Sequence, residues 1–285
     1  AFVPQVCHRC PATADFRSYP KRRPDIASVL LAVAKQLGLC AASASVALGL
    51  LKPAAVLGRA TGSSPLPVYD ELAARHQRDG LDFSKAHAFA LDEYVGLAHG
   101  HPESYREVIR REFTSRVNID EGNVHTPDGA AGDLAAACRA YEDAMRAAGG
   151  VDLQLLGVGT DCHIGFNEPG SSFASRTRIK TLIEQTRRDN ARFFTSLAEV
   201  PHHVVAQGLG TILEARHVVL IATGAQKAPA VRDFVEGPVA AICPASVLQF
   251  HPHATILVDE AAASSLKLAD FYRHTYDHKP DWQEL

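Results

Sequence analysis

Residues 151–169 read Val-Asp-Leu-Gln-Leu-Leu-Gly-Val-Gly-Thr-Asp-Cys-His-Ile-Gly-Phe-Asn-Glu-Pro. The largely apolar start, 151–156, has the character of a buried strand, and the glycine-punctuated run after it reads as a loop at that strand's C-terminal end. Open α/β sheets bind ligands at such ends. The loop sets Asp161, His163 and Glu168 within eight residues. An imidazole with two candidate carboxylate partners can move protons near neutral pH, because each carboxylate can orient the ring or raise its basicity. The spacing alone fits equally well a polar loop whose side chains cap backbone groups.

Outward from this stretch the pattern alternates. Strand-like runs recur at 54–57, 86–91, 153–158, 218–222 and 255–258, and helix-length segments fill the gaps at 66–78, 102–116, 130–148, 189–197 and 227–235. Short apolar strands separated by helices imply βαβ units. The expected fold is α/β: a Rossmann-like, mainly parallel sheet with helices on both faces, in a single domain. Residues 26–51, mostly Ala, Val, Leu and Ser, are expected to form one long helix or two. Residues 1–24 carry Pro4, Pro11, Pro20 and Pro24 with little periodicity and read as an irregular extension, which leaves 25–285 as the domain.

The chain has 285 residues, 46% hydrophobic and 21% charged, which suits an ordinary globular core and argues against disorder. A net charge of −3 gives no general attraction for nucleic acid, so no such partner is expected and an anionic ligand must be held by local groups. Six cysteines stand at 7, 10, 40, 138, 162 and 243, and Cys7-His8-Arg9-Cys10 has no second pair at zinc spacing. Their scatter suits reduced thiols in a cytoplasmic protein. Lys21-Arg22-Arg23 ahead of the apolar run 26–34 superficially resembles a signal peptide. Lys35 and Gln36 end that run too soon to span a bilayer, so a core helix is expected and no membrane partner.

Two further segments carry chemistry. Thr61-Gly62-Ser63-Ser64-Pro65 lies between a strand and a helix that Pro65 can open. Free backbone N–H groups at such a helix start, beside hydroxyls, make a phosphate site, although the same residues also make a plain N-cap turn. No Gly-Lys-Ser/Thr follows, so this is not a Walker loop. Asp92 and Glu93 end a strand-like run at the sheet's C-terminal edge, where adjacent carboxylates usually point different ways and need not form a dyad. Gly157-Val158-Gly159 falls short of a dinucleotide fingerprint because position 162 is cysteine. His202-His203 and His251-Pro252-His253 read as surface or turn residues, not as a metal site.

The run 157–169 resembles the signature of the glucosamine-6-phosphate deaminases, G-[IV]-G-x-D-G-H-I-[AG]-F-N-E-P. Ala60-Thr61-Gly62-Ser63-Ser64-Pro65-Leu66 resembles the family's phosphate loop, and Leu91-Asp92-Glu93-Tyr94 its second catalytic segment. His101-Pro102-Glu103-Ser104-Tyr105, Ser175-Arg176-Thr177-Arg178-Ile179-Lys180-Thr181 and Glu236-Gly237-Pro238 fit the family as well, so the likeness covers roughly residues 52–270.

The resemblance implies conversion of glucosamine 6-phosphate to fructose 6-phosphate and ammonia by isomerisation and deamination. Asp92 would be the general base that shuttles a proton between C2 and C1 through an enolamine. His163 would open the ring, with Asp161 and Glu168 orienting it. Thr61, Gly62 and Ser63 would contact the phosphate, with Arg192 and Lys227 supplying positive charge, although in isolation either cation would pass for a solvated surface residue. Electrons never leave the sugar, so the implied reaction requires no redox cofactor and no catalytic metal. Glucosamine and galactosamine 6-phosphate are not separated by these motifs.

Several features complicate the likeness. The family's opening strand would fall near 21–25, which is charged and contains proline, so no strand is expected there. Cys162 stands where the family has glycine. If that glycine serves a positive φ, a Cβ costs roughly 1–2 kcal/mol and displaces Asp161 and His163, impairing catalysis; alternatively the turn tolerates a small side chain. Ser171, Arg178, Lys180 and Thr181 resemble the allosteric site of hexameric members, or form a basic surface segment with no effector. A homo-oligomer is a further expectation. The competing readings are a catalytically impaired sugar-phosphate binder, a regulator of the same fold, and a 6-phosphogluconolactone hydrolase. A regulator would carry a basic recognition helix that 26–51 does not supply. The hydrolase's comparable loop lacks Phe-Asn-Glu-Pro at 166–169.

Overall fold

The computed structural model describes residues 28–31 and 34–278, so the extension expected at 1–24 lies outside the described residues. Ten strands appear among them: β1 (Ser28–Leu31), β2 (Val56–Arg59), β3 (His87–Ala90), β4 (Asp92–Tyr94), β5 (Val124–His125), β6 (Leu153–Gly157), β7 (Arg178–Thr181), β8 (His203–Ala206), β9 (His217–Ala222) and β10 (Ala254–Val258). Seven form a parallel sheet in the order β1-β10-β9-β6-β2-β3-β5. The other three form a small antiparallel sheet, β4-β8-β7.

The central strands are mostly apolar because both faces of the sheet are covered, with Arg59, Gln154, His217 and Thr255 as buried exceptions. On β9, Val218 and Leu220 pack into one core while Val219 and Ile221 pack into the other. The first core holds Tyr141 and Met145 of helix α4 (Leu134–Ala147), with Ala230, Val231 and Phe234 of a later helix over Ala228–Val235. The second holds Leu37 and Ala41 of α1 (Ala34–Leu51), with Val68, Tyr69 and Leu72 of α2 (Leu66–Asp79). This is the expected doubly covered α/β sheet in a single domain.

The opening of the chain differs from expectation. Residues 28–31, read as helix, form β1 and pair in parallel with 255–258 of β10. The run was apolar enough for either state, and a long-range ladder decided it. The helix begins only at Ala34. The segment expected to be helical over 102–116 is split into α3 (Tyr105–Glu112) and a 3-10 turn at Thr114–Arg116. The helix expected at 189–197 is shifted: α5 spans Glu184–Asn190 and a 3-10 turn covers Ala191–Phe193. The helix over Ala228–Val235 is α7, preceded by the short α6 (Leu209–Leu213).

The strand order reverses between β2 and β6. From β2 the chain proceeds outward through β3 and β5, whereas β6, β9 and β10 build the opposite half. The loops leaving the C-terminal ends of β2 and β6 therefore flank a switch point, where such sheets open a crevice. The two loops touch: a Cβ on Gly157 would stand 3.3 Å from Ser64 Oγ.

Candidate active site

Four strand ends contribute to the crevice. After β2 comes the loop 60–65, in which Gly62 takes a φ of +83°, a conformation disfavoured for any residue with a Cβ. Thr61 is half-buried, and Gly62 and Ser63 are exposed. The start of α2 has no side-chain cap, so its hydroxyls are not consumed by the helix itself. The loop's backbone donors and the exposed Ser63 thus lie at a helix N-terminus, where an anion is favoured.

After β3, the chain crosses directly into β4. The backbone N–H of Leu91 donates to Arg59 O (3.0 Å) and that of Gln207 to Leu91 O (2.8 Å), so β4 continues from the end of the main sheet. Asp92 is buried here. Burial first, and then the charge of Glu93, push its carboxyl up to about 8. A carboxyl so placed can take up and return a proton near neutral pH.

After β6 comes the turn 159–163. Gly159 N–H donates to His163 O (2.9 Å) and Cys162 N–H to Gly159 O (3.1 Å), closing it tightly. His163 Nδ1 lies 2.6 Å from Asp161 Oδ1, and the backbone N–H of His163 also donates to that oxygen at 3.3 Å. Burial opposes ionisation of Asp161, but the hydrogen bonds and charge of His163 outweigh it and hold the carboxyl below its ordinary value. Gly159 is required by space: a Cβ would come within 2.3 Å of the His163 ring. Asn167, fully buried, donates to Ile164 O (3.0 Å) and Gln207 O (2.8 Å), pinning the loop beside β8.

Cys162 has a φ of +68°, the one non-glycine residue with positive φ among those described. The turn thus adopts the conformation that glycine would favour, and Asp161 and His163 still meet. The thiol is buried, 3.7 Å from Ala230 O and hydrogen-bonded to the thiol of Cys243. With the Cβ in place Asp161 and His163 still pair, and the sulfur packs beside Ala230 O and Cys243.

Glu168 differs from expectation. Its Oε1 accepts the Thr186 hydroxyl (2.7 Å) and the Ile183 N–H (3.1 Å), at the start of α5. Among the described residues no hydrogen bond joins it to His163. Free N–H groups at a helix start compete well for a carboxylate. Glu168 therefore anchors the loop to α5, and of the two carboxylates it is Asp161 that meets the imidazole.

After β9, Gly224 takes a φ of +88° and donates its N–H to both oxygens of Asp259 (3.0 and 3.1 Å), which also accepts from Ala262 N (2.7 Å). This grip sets the turn that presents Lys227. Burial pushes the Lys227 amine down, offset by the charges of Asp189 and Asp161 and reinforced by that of Arg192. Arg192 is exposed, with its guanidinium 4.7 Å from the Phe193 ring centroid and no carboxylate partner among the described residues. Both cations reach the same region. Asp259 was not singled out from sequence, and only its place at the end of β10 marks it.

Aromatic rings join these parts. Tyr105 of α3 stacks on Phe166 of the His163 loop, with centroids 6.0 Å apart and planes at 8°. Its hydroxyl meets that of Tyr94 at 3.3 Å and bonds to the Thr61 side chain.

The four residues expected at an effector site have different surroundings. Ser171 is buried and donates to Glu168 O (2.7 Å). Arg178 and Lys180 share one face of β7, whereas Thr181 lies on the other beside His203 (3.2 Å).

A switch-point crevice, a buried carboxyl, an Asp–His pair and an open helix N-terminus together define an α/β protein equipped for acid–base chemistry. The chain belongs to the family of glucosamine-6-phosphate isomerases/6-phosphogluconolactonase, which residues 30–257 match. It is 77% identical over 257 residues to glucosamine-6-phosphate deaminase of Arthrobacter sp. (strain FB24), covering 90% of this chain and 99% of that one. It is 63% identical over 258 residues to the deaminase of Streptomyces coelicolor, again covering 90% and 99%. Among solved structures, a monomeric glucosamine-6-phosphate deaminase superposes with a TM-score of 0.82 at 40% identity, over 84% of this chain and 99% of that one. A 6-phosphogluconolactonase from Trypanosoma cruzi, at 20% identity and a TM-score of 0.66, shares the fold.

Proposed function

We infer that this chain deaminates and isomerises glucosamine 6-phosphate, giving fructose 6-phosphate and ammonia. The observation that supports it most is the placement of Asp92 and the Asp161–His163 pair around one crevice that also receives the loop 61–63. Thr61, Gly62 and Ser63, with Lys227 and Arg192, hold the phosphate. His163, oriented by Asp161, moves the ring-opening proton. Asp92 takes the C2 proton and returns it to C1, passing through the enolamine; water then replaces nitrogen at C2 and ammonia leaves. A buried carboxyl of raised affinity for protons suits that transfer, since it must both accept and deliver. Glu168 serves by fixing the loop to α5. These steps call for no redox cofactor.

The deaminase relatives favour this reading over lactone hydrolysis, because the lactonases resemble the chain only at the level of fold. No helix among the described residues is long and apolar enough to cross a membrane, and we place the reaction in the cytoplasm, where the thiols of Cys138, Cys162 and Cys243 stay reduced. The 40% identical relative is described as monomeric, so sedimentation of the purified protein decides whether the expected homo-oligomer forms. The deciding assay is ammonia release from glucosamine 6-phosphate and galactosamine 6-phosphate, coupled to detection of the ketose phosphate. Release from neither substrate overturns the assignment.

A further inference from the structure

Asp92 and Glu93 are adjacent on β4 and both buried, but they face different surroundings. Asp92 faces the catalytic loop: a Cβ on Gly165 would stand 3.6 Å from Asp92 Oδ2. Among the described residues no donor reaches its carboxyl. Glu93 turns to the head of α3. Its Oε1 accepts the N–H of Tyr94 (2.8 Å) and of Tyr105 (2.9 Å), and its Oε2 accepts that of Arg106 (3.0 Å). On this side it borders a cleft of about 190 Å³ with Tyr94, Ser104, Arg106 and Asp128.

Two N–H groups at a helix N-terminus, with a third from Tyr94 on β4, are a good solvent for a carboxylate. Burial lifts Glu93 above its ordinary value, but these donors and the charge of Arg106 pull it back. Asp92 has no such donors to offset its burial. The other titratable groups facing Asp92 are the phenols of Tyr94, of Tyr105 on α3 and of Tyr141 on α4, all pushed above their ordinary range by burial and therefore neutral. The side chains approaching from the loop and from beyond β8, Asn167 and Gln207, are neutral amides, and the loop's Asp161–His163 pair borders the same crevice. Glu103 lies farther out, acting on Tyr94. The charge that Asp92 meets is that of Glu93.

The same carboxylate fixes Tyr105. By holding the first two N–H groups of α3, Glu93 sets the ring that stacks on Phe166 and the hydroxyl that bonds Thr61. Base, phosphate loop and histidine loop are thus tied through one side chain that touches none of the reacting atoms.

We propose that Glu93 is a positioning residue for the proton transfer: its ionised carboxylate locks α3 and Tyr105 against the two substrate loops, and its charge sets how firmly Asp92 holds a proton. The proposal rests on the reading of Asp92 as general base. The test compares pH profiles of kcat/KM for the parent, Glu93→Gln and Glu93→Asp with glucosamine 6-phosphate; the substrate's own ionisations are common to all three. Glu93→Gln removes the charge, so its acid limb should move to lower pH by about one unit, with a lower plateau from disturbed geometry. Glu93→Asp keeps the charge, so its limb should stay with the parent while its plateau falls. Acid limbs that coincide in all three proteins overturn the proposal and leave Glu93 a purely structural cap.

Carboxyl-¹³C NMR titration of the parent protein provides a reading that needs no variant to fold. Glu93 should ionise at lower pH than Asp92, and the Asp92 signal should respond as Glu93 ionises; the reverse order overturns the proposal. If the parent releases no ammonia, the deaminase reading fails, and the titration order still judges the charge relation between the two carboxyls.

Discussion

The guanidinium of Arg59 lies 4.3 Å from the ring centroid of Phe113 and 5.6 Å from that of Tyr69, fully buried, with none of its nitrogens hydrogen-bonded among the described residues. Burial holds its pKa down to about 10, and the two ring faces are its compensation. A buried cation without a carboxylate is costly, and apolar replacement of buried charges is often stabilising by about 1–4 kcal/mol. Arg59→Leu should therefore raise the melting temperature by several degrees, at about 2–4 °C per kcal/mol for a domain approaching this size. Thermal scans in matched buffer check it, and a lower melting temperature for the leucine variant would show that the ring contacts outweigh desolvation.

Asp92 gives the protein a pH-dependent stability of unusual sign. Its folded pKa, about 8, lies above the ordinary 3.8, so between these values the folded state binds more protons than the unfolded one. Stability then falls as pH rises through that window, with a slope from this group of up to about 1.4 kcal/mol per pH unit. Asp92→Asn removes the slope. The variant should gain more in denaturant midpoint over the parent at pH 7.5 than at pH 5, while losing ammonia release at every pH. Equal gains at both pH values would mean that Asp92 titrates near its ordinary value.

The strands at the centre of the sheet were legible because burial on both faces leaves 218–222 apolar at every position and 255–258 apolar but for Thr255. The small sheet was not. Arg178 to Thr181 alternates half-exposed and exposed, and its partner His203–Ala206 lies more than twenty residues away, so neither composition nor local turn chemistry announces the pairing. β1 was hidden for a related reason: the run 26–34 has no punctuation, and only β10, some 220 residues later, makes it a strand. Within the site, the Asp161–His163 contact follows from two residues on one tight turn. The attachment of Glu168 to Thr186 does not, since it depends on where α5 begins.

Lys227 and Arg192 are expected to act on binding and not on the bond-making steps, because the phosphate is remote from C1 and C2. A charge-assisted contact is worth roughly 1.5–3 kcal/mol, so Lys227→Ala should raise KM about ten- to a hundredfold with kcat little changed. Arg192→Ala should do less, because its guanidinium is exposed and already stacked on Phe193. Steady-state kinetics with varied substrate decide it. Saturation curves unchanged in both variants would place the phosphate elsewhere in the crevice.

Cys162→Gly probes whether the one departure inside the catalytic turn matters. An L-residue with φ near +68° costs roughly 1–2 kcal/mol, which glycine would recover. Glycine also loosens the unfolded chain by about 0.4–1 kcal/mol and removes a sulfur packed beside Cys243 and Ala230. These effects oppose each other, so the melting temperature should move by no more than a few degrees. The turn already brings His163 Nδ1 within 2.6 Å of Asp161 with cysteine in place, so removing the Cβ has no misplacement to correct. Turnover should stay within about twofold of the parent, whereas a displaced catalytic group would have left on the order of a hundredfold to regain. A tenfold or larger rise in kcat for the glycine variant, measured beside its melting curve, would show instead that the thiol holds the loop away from its working geometry.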